Sequence, residues 1–427
     1  MATVSHRLQH VKAHLQELVP ESDIIQLCQQ AGYVWRERLL GPALTVHLFL
    51  LQLLAKVALS GLRHVAQLSV SAQAICKAKQ RLPLKVLTEL VRRSAPPAGG
   101  SLWKGLLVHL ADGTHFKTPD TPPLAKRYGK ARNQRGTSCG YPTPKLLALM
   151  DWSSGFIRKV ICLPARRQEY TCLSRLFAAI ASNGLLLGDR GLVSFAHLAM
   201  LLAAGIQGCF RLPRGQVVFG RGRDSRRLIR RLGKQDLLVR WTAACRPTWL
   251  SARRWQALAG QELTLRQISF RICRKGFRSR WAWIVTTLLD PRQYPAEELA
   301  ELYSQRWQIE VYFRDIKRTL GMAMLSARTV VGIQKEMLAF VLLYNLVRGV
   351  MQQAALYKGT TANRISFTDA LNWLLWSSPG DAVPRLMVNP IRVRPSPPRK
   401  LKEARHRLGQ LHGTRAQHSK PAYCVKL

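Results

Sequence analysis

The chain has 427 residues, 47% of them apolar, which is enough for two or three domains and the usual proportion for a globular protein. Its charge is unusual: 66 Lys plus Arg stand against 23 Asp plus Glu, a net +43. That field repels itself, and a polyanion relieves it: nucleic acid is the first candidate and an acidic membrane surface the second. Nine Cys with no C-x-x-C pair speak against a disulfide framework and for reduced thiols in a cytosolic compartment. The polar, amphipathic start "MATVSHRLQHVKAHLQELV" is not a secretory leader.

Residues 1–95 carry helical spacing with no strand pattern. "PALTVHLFLLQLLAKVAL" reads as one buried helix, because His47, Gln52 and Lys56 interrupt it too often for a membrane span. "SVSAQAICKAKQRL" and "PLKVLTELVRRS" read as two helices separated by a turn at Pro83, and "APPAGG" marks a boundary. The period then changes. "KGLLVHLADGT" predicts an apolar strand ending at Asp112, and "PKLLALMD" and "GFIRKVICL" predict a hairpin around the turn "DWSSG". A helix over 167–182 follows. Next come a buried strand "LLLGDRG" ending at Asp189, a helix capped by Ser194 and a strand "IQGCFRL". This order, β-β-β-α-β-α-β, implies a mixed sheet with helices on its faces. Residues 213–295 break the rhythm with strand-like, Arg-rich stretches and read as a β-rich basic insertion. Helix resumes near Ala296, and the end from about 390 reads as a basic, flexible tail.

The stretch "YSQRWQIEVYFRDIKRTL" has the spacing Tyr303-x2-Arg306-x3-Glu310-x6-Lys317. On an α-helix these four side chains share a stripe about 60° wide, beside an apolar stripe of Leu302, Ile309, Phe313, Ile316 and Leu320. That arrangement predicts an apolar face docked on the sheet, with the four residues at the edge of the contact. Glu310 serves either ordinary helical ion pairs or chemistry. Asp112 and Asp189 serve either their turns or a site at the strand ends, where open α/β sheets place ligands. Three carboxylates in so basic a chain would suit Mg²⁺ or Mn²⁺, hard ions that take oxygen ligands and act on phosphodiesters.

The Tyr-x2-Arg-x3-Glu-x6-Lys spacing, together with "DGTHFKTPDTP", "GDRGLVSF", "LLYNLVR" and "RERLLGPALTVHLFLLQLL", resembles the IS-four family of bacterial insertion-sequence transposases over roughly residues 20–350. The resemblance implies an RNase H-like α/β catalytic domain over 99–389 with residues 213–295 inserted. A helical DNA-binding domain over 1–98 would precede it, and a tail over 390–427 would follow. It implies Asp112, Asp189 and Glu310 as catalytic, metal-binding residues for two Mg²⁺ ions, with Mn²⁺ as a substitute. It implies Tyr303, Arg306, Lys317 and Arg190 as DNA contacts. Either Trp283 or Trp281 would stack a flipped base, unless both are core residues of a strand. "SVSAQAICKAKQRL" would be either a DNA-reading helix or a packing helix. The expected enzyme is a DDE, cut-and-paste DNA transposase of the bacterial cytoplasm and nucleoid. It would act on terminal inverted repeats and target DNA, as a dimer when DNA-bound and without a membrane partner. The competing expectations are an RNase H-like nuclease or resolvase without strand transfer, and an inactive DNA-binding relic. His115, Asp120, Asp151 and Asp224 are expected to play no such part.

With this charge, DNA binding is expected to weaken steeply with salt, on the order of a thousandfold between 50 and 200 mM. A titration of duplex affinity against salt checks it, and a flat slope contradicts the phosphate-contact reading.

Overall fold

Helical spacing without strand signals gives five helices at the start of the described chain: α1 (Glu21–Gln30), α2 (Pro42–Leu54), α3 (Leu59–Val65), α4 (Ala72–Arg81) and α5 (Leu84–Ser94). The structure is a computed structural model, and it describes residues 18–96, 102–132, 138–220, 222–223, 225–243, 245–273, 280–377 and 424–426. The chain divides into two units. Unit 1 holds residues 1–101, 111–169 and 308–388, and unit 2 holds 102–110, 170–307 and 389–427. The amphipathic start and the predicted flexible tail lie largely outside the described residues; the last segment within them, Cys424–Lys426, pairs with residues 271–273.

In unit 1, the apolar stretch expected as one helix is two. Lys56 adopts a positive φ of 52°, which ends α2, and α3 leaves at 108° to it. Ser71 caps α4 by accepting from the Ala74 amide (3.1 Å), and Pro83 separates α4 from α5 as expected. The core helix of the unit is α11 (Val330–Tyr357); by length and apolarity it would pass for a membrane span, yet most of it is buried among the protein's own helices. Lys335 on α11 donates to the carbonyls of Lys79 (3.1 Å) and Gln80 (2.6 Å), a cation at the negative end of α4. Lys79 turns inward, 3.6 Å from the Phe49 ring and 2.6 Å from Gln52 Oε1, and burial pushes its ammonium down to about 8. Of the α4 cations, Lys77 and Arg81 therefore face solvent.

The strands of unit 1 run β5 (Ile157–Leu163), β4 (Lys145–Asp151), β1 (Leu107–His115), with β4 and β5 an antiparallel hairpin. α6 (Pro122–Tyr128) and the two-stranded ribbon β2 (Lys130–Arg132) and β3 (Ser138–Pro142) intervene after β1. Only the second half of β1 belongs to unit 1; its first half begins the sheet of unit 2. There the order is β1, β6 (Gly184–Gly188), β7 (Gln207–Arg211), β12 (Arg280–Thr286), β11 (Glu262–Cys273), β10 (Asp236–Thr242), β9 (Arg226–Gly233), β8 (Gly222–Arg223). β6 and β7 are parallel, joined through α7 (Phe195–Ala203), and every pair from β7–β12 outward is antiparallel. These are the mixed parallel and antiparallel strands expected of the α/β fold, and within unit 2 the β-rich segment continues the sheet from β7.

Three local expectations change. The helix after β5 is wound as a 3-10 helix, Glu169–Ala179. β9, rich in Arg and without apolar alternation, is a strand because β10 supplies its hydrogen-bonding partner. α8 (Ala252–Ala259), capped by Ser251, interrupts the insertion's strands.

Burying charge costs several kcal/mol unless it is matched. In unit 2 Arg266 is fully buried and meets Asp236 bidentately (2.8 and 2.6 Å), with a further bond to the Tyr294 carbonyl (2.6 Å). Asp236→Ala leaves that guanidinium uncompensated and is expected to destabilise the protein by about 3–5 kcal/mol, while an apolar double replacement, Asp236→Leu with Arg266→Met, recovers most of it. Urea unfolding checks both.

Candidate active site

Asp112 is not the last residue of its strand, since β1 continues to His115. Its Oδ1 accepts from the Gly113 amide (2.7 Å). Gly113 lies close against Glu169: a Cβ there would stand 2.6 Å from its Cγ and 2.8 Å from its Oε1, so the glutamate side chain would have to shift. Glu169 thus packs against Gly113, a contact that nothing in the local sequence pattern announces. Glu169 is ion-paired with Lys145 (3.5 Å). The His115 imidazole is held below its ordinary value by partial desolvation, with Lys145 and Lys317 adding to the effect and Glu169 opposing it.

The segment carrying the Tyr-Arg-Glu-Lys spacing is not one uniform helix. It runs as α9 (Ala296–Ser304), a 3-10 turn (Gln305–Trp307), α10 (Gln308–Arg314) and a π turn (Asp315–Thr319). Such departures from α geometry shift the angular positions, so the single stripe expected from 100° per residue does not hold along its length. The division between the units also falls here, after Trp307.

In unit 1, Glu310 is exposed on α10 and Lys317 lies in the π turn. Lys317 Nζ stands 5.9 Å from the Phe116 ring just beyond β1, and desolvation lowers its pKa. The Ala323 amide donates to the Lys317 carbonyl (3.2 Å), the Lys117 amide to the Ala323 carbonyl (3.0 Å), and the Leu325 amide to the Lys117 carbonyl (2.9 Å). The chain leaving the Glu310 segment is thereby stitched to the continuation of the Asp112 strand.

In unit 2, Asp189 is the first residue after β6. Its Oδ1 is buried without a hydrogen-bond partner, and Arg306 Nη2 stands 4.0 Å from it. Tyr303 and Arg306 are buried here instead of lying at an open edge. The Tyr303 hydroxyl donates to the Gly188 carbonyl (3.3 Å), and burial drives its pKa far above the ordinary phenol range, so it stays neutral. Arg190 is exposed. On β12, Trp283 is half-buried with Phe219 edge-on at 6.1 Å, and Trp281 is the more exposed of the pair.

Asp189 thus stands with Tyr303 and Arg306 in one unit, and Asp112 and Glu310 belong to the other. Among the described residues, no group of three or more His, Cys, Asp or Glu side chains is gathered closely enough to hold a metal ion. The orphaned Asp189 oxygen is itself the kind of donor that a hard divalent cation takes.

Residues 103–346 match the family described as the transposase DDE domain. The chain belongs to this family. It is 28% identical over 332 residues to the Escherichia coli K12 transposase InsG for insertion sequence element IS4, covering 74% of this chain and 71% of that one. It is 29% identical over 147 residues to the putative transposase InsZ of the same organism, covering 33% of this chain and 48% of that one. It is an IS4-type DDE transposase, an enzyme of DNA transposition, and its family works with divalent metal ions. A piggyBac transposase synaptic complex with hairpin DNA overlays on 85% of this chain and 78% of its own, at 8% identity and a TM-score of 0.46, too distant a likeness to inform on the site.

The loop that carries Asp189 is anchored at its far end by α7 of this transposase. Ser194 Oγ caps the helix, accepting from the His197 amide (3.2 Å), and lies 2.9 Å from His197 Nδ1. The His197 ring stacks on Trp249 at 4.6 Å. Burial pushes this imidazole from 6.5 down to about 4. Between those values the unfolded chain binds a proton that the folded chain does not, so stability must fall as pH drops from about 6.5 to 4. His197→Phe is expected to remove on the order of 2 kcal/mol of the loss between pH 7 and 4.5. Urea unfolding of both proteins at the two pH values checks it.

Proposed function

We propose that this transposase moves its element by cut and paste, with Asp112, Asp189 and Glu310 as the metal-binding carboxylates. The observation that carries the reading is the Asp189 oxygen, buried, unbonded and only loosely matched by Arg306. These three residues would hold two Mg²⁺ ions, with Mn²⁺ able to substitute. Such a pair supplies an activated water and stabilises the leaving oxygen of a phosphodiester. Arg306 balances the Asp189 charge, and neutral Tyr303 fixes the Gly188 carbonyl and with it the start of the Asp189 loop. Lys317 and Arg190 meet backbone phosphates, which position DNA without reading sequence. A Trp of β12 offers an aromatic face to a displaced base: Trp283 by its place in the strand, Trp281 by its exposure.

In the first step, water attacks phosphorus at the element end, the bond from phosphorus to the 3′ oxygen breaks, and a 3′-hydroxyl is left on the element. In the second, that hydroxyl oxygen attacks a target phosphorus, and the target's own 3′ oxygen departs. The substrates are terminal inverted repeats and target DNA in the bacterial cytoplasm and nucleoid. Two ends cut in concert call for a dimer on DNA.

With element-end DNA, a target plasmid and Mg²⁺, the wild-type protein is expected to nick the ends and join them to the plasmid. Asp112→Ala is expected to lower nicking about a hundredfold or more while end-DNA affinity stays within a few-fold. Cut ends that never join would favour a nuclease, and unchanged nicking by Asp112→Ala would remove the assignment.

A further inference from the structure

The passage "LLYNLVR" carries three hydrogen-bonding side chains, Tyr344, Asn345 and Arg348, on the core helix, and in unit 1 they grip the turn between β4 and β5. The Tyr344 hydroxyl donates to the Gly155 carbonyl (3.0 Å). Asn345 Oδ1 accepts from the Ile157 amide (2.9 Å), and its Nδ2 donates to the Ile157 carbonyl (3.0 Å) and to Ser94 Oγ (2.9 Å). Arg348 Nε donates to the Ser154 carbonyl (2.7 Å), a bond its Nη2 shares. Gly155 has φ +74°, and a Cβ there would stand 2.7 Å from the Arg348 guanidinium carbon, so only glycine admits this contact.

One further side chain ties this clamp to α10. Asn363, in the 3-10 turn Ala362–Arg364, accepts at Oδ1 from Arg348 Nη2 (3.0 Å) and from the Tyr312 hydroxyl (2.9 Å). Its Nδ2 donates to Gln308 Oε1 (3.1 Å) and lies 3.4 Å from the Ser153 carbonyl. Both lone pairs and both N–H groups of the amide are thus used, and turning the amide over would set donors against donors. Gln308 and Tyr312 lie one turn apart on α10, on the face that Asn363 bonds. Glu310 is two residues from each and is directed to the opposite, exposed face.

We propose that Asn363 is a positioning residue: it bolts the back of α10 to the β4–β5 turn and so fixes where Glu310 presents its carboxylate. The inference rests on Glu310 being one of the three metal-binding carboxylates. It does not extend to DNA contact, since Asn363 acts only through Gln308, Tyr312 and Arg348.

The test compares Asn363→Ala, Asn363→Asp and Glu310→Gln in the full-length protein. Amide hydrogen exchange over residues 308–314 is measured without metal. Single-turnover nicking of element-end DNA is measured at saturating Mg²⁺, together with end-DNA affinity. Asn363→Ala is expected to quicken exchange across 308–314 and to slow nicking by about tenfold or more, with affinity within twofold of wild type. Asn363→Asp keeps the acceptors for Arg348 and Tyr312 and is expected to restore most of both. Unchanged exchange in Asn363→Ala overturns the proposal whatever the rates. So does a wild-type nicking rate in Asn363→Ala when Glu310→Gln abolishes nicking. If Glu310→Gln itself nicks normally, the assignment of Glu310 fails, and exchange alone then decides whether Asn363 fixes α10.

Discussion

A chain with a net charge of +43 must decide where to bury its guanidinium groups, and that constraint organises both units. In unit 1 the cation is Arg348, satisfied by the Ser154 carbonyl and the amide oxygen of Asn363. Because its partners belong to a turn and to a neighbouring loop, satisfying the charge also fixes the position of the backbone. The turn between β4 and β5, the core helix α11 and the helix bearing Glu310 are drawn into one hydrogen-bonded network. In unit 2 the fully buried cation is Arg266, and there a carboxylate does the work, bidentate and close.

That contrast separates structural acids from available ones. Asp236 has both oxygens committed to Arg266, Asp151 has both committed to Arg158, and Glu336 accepts from the Ser326 and Ala327 amides. Asp189 is different: a guanidinium 4.0 Å away without a hydrogen bond neutralises it at long range and leaves its buried oxygen unsatisfied. Keeping an acceptor buried and unmatched costs about 1–3 kcal/mol, so a protein that retains one has a use for it. In the proposed site, that use would be coordination of a divalent cation.

Much of the sheet was legible because its strands are long, apolar and set off by turn residues. "PKLLALMD", "GFIRKVICL" and "LLLGDRG" fell where expected, and so did the cap at Ser194. β9 was not legible, since "RRLIRRLG" has no alternation, and only its partner strand makes it a strand. The break after α2 was hidden because a positive φ at a lysine leaves no compositional trace. At the candidate site the three carboxylates stood out by their scarcity and by the spacing around Glu310. The burial of Tyr303 and Arg306 did not, because a helical wheel assumes a uniform helix and this one carries a 3-10 turn and a π turn. Glu169 and Asn363 were invisible for a different reason: each matters through contacts with residues distant in sequence.

The most direct measurement is a structure of the protein with element-end DNA and Mn²⁺, with the ions located by their anomalous scattering. Ions held by Asp112, Asp189 and Glu310, with the Asp189 oxygen now a ligand, are the predicted result. Ions absent from Asp189, with its carboxylate still facing only Arg306, would contradict the assignment of the site.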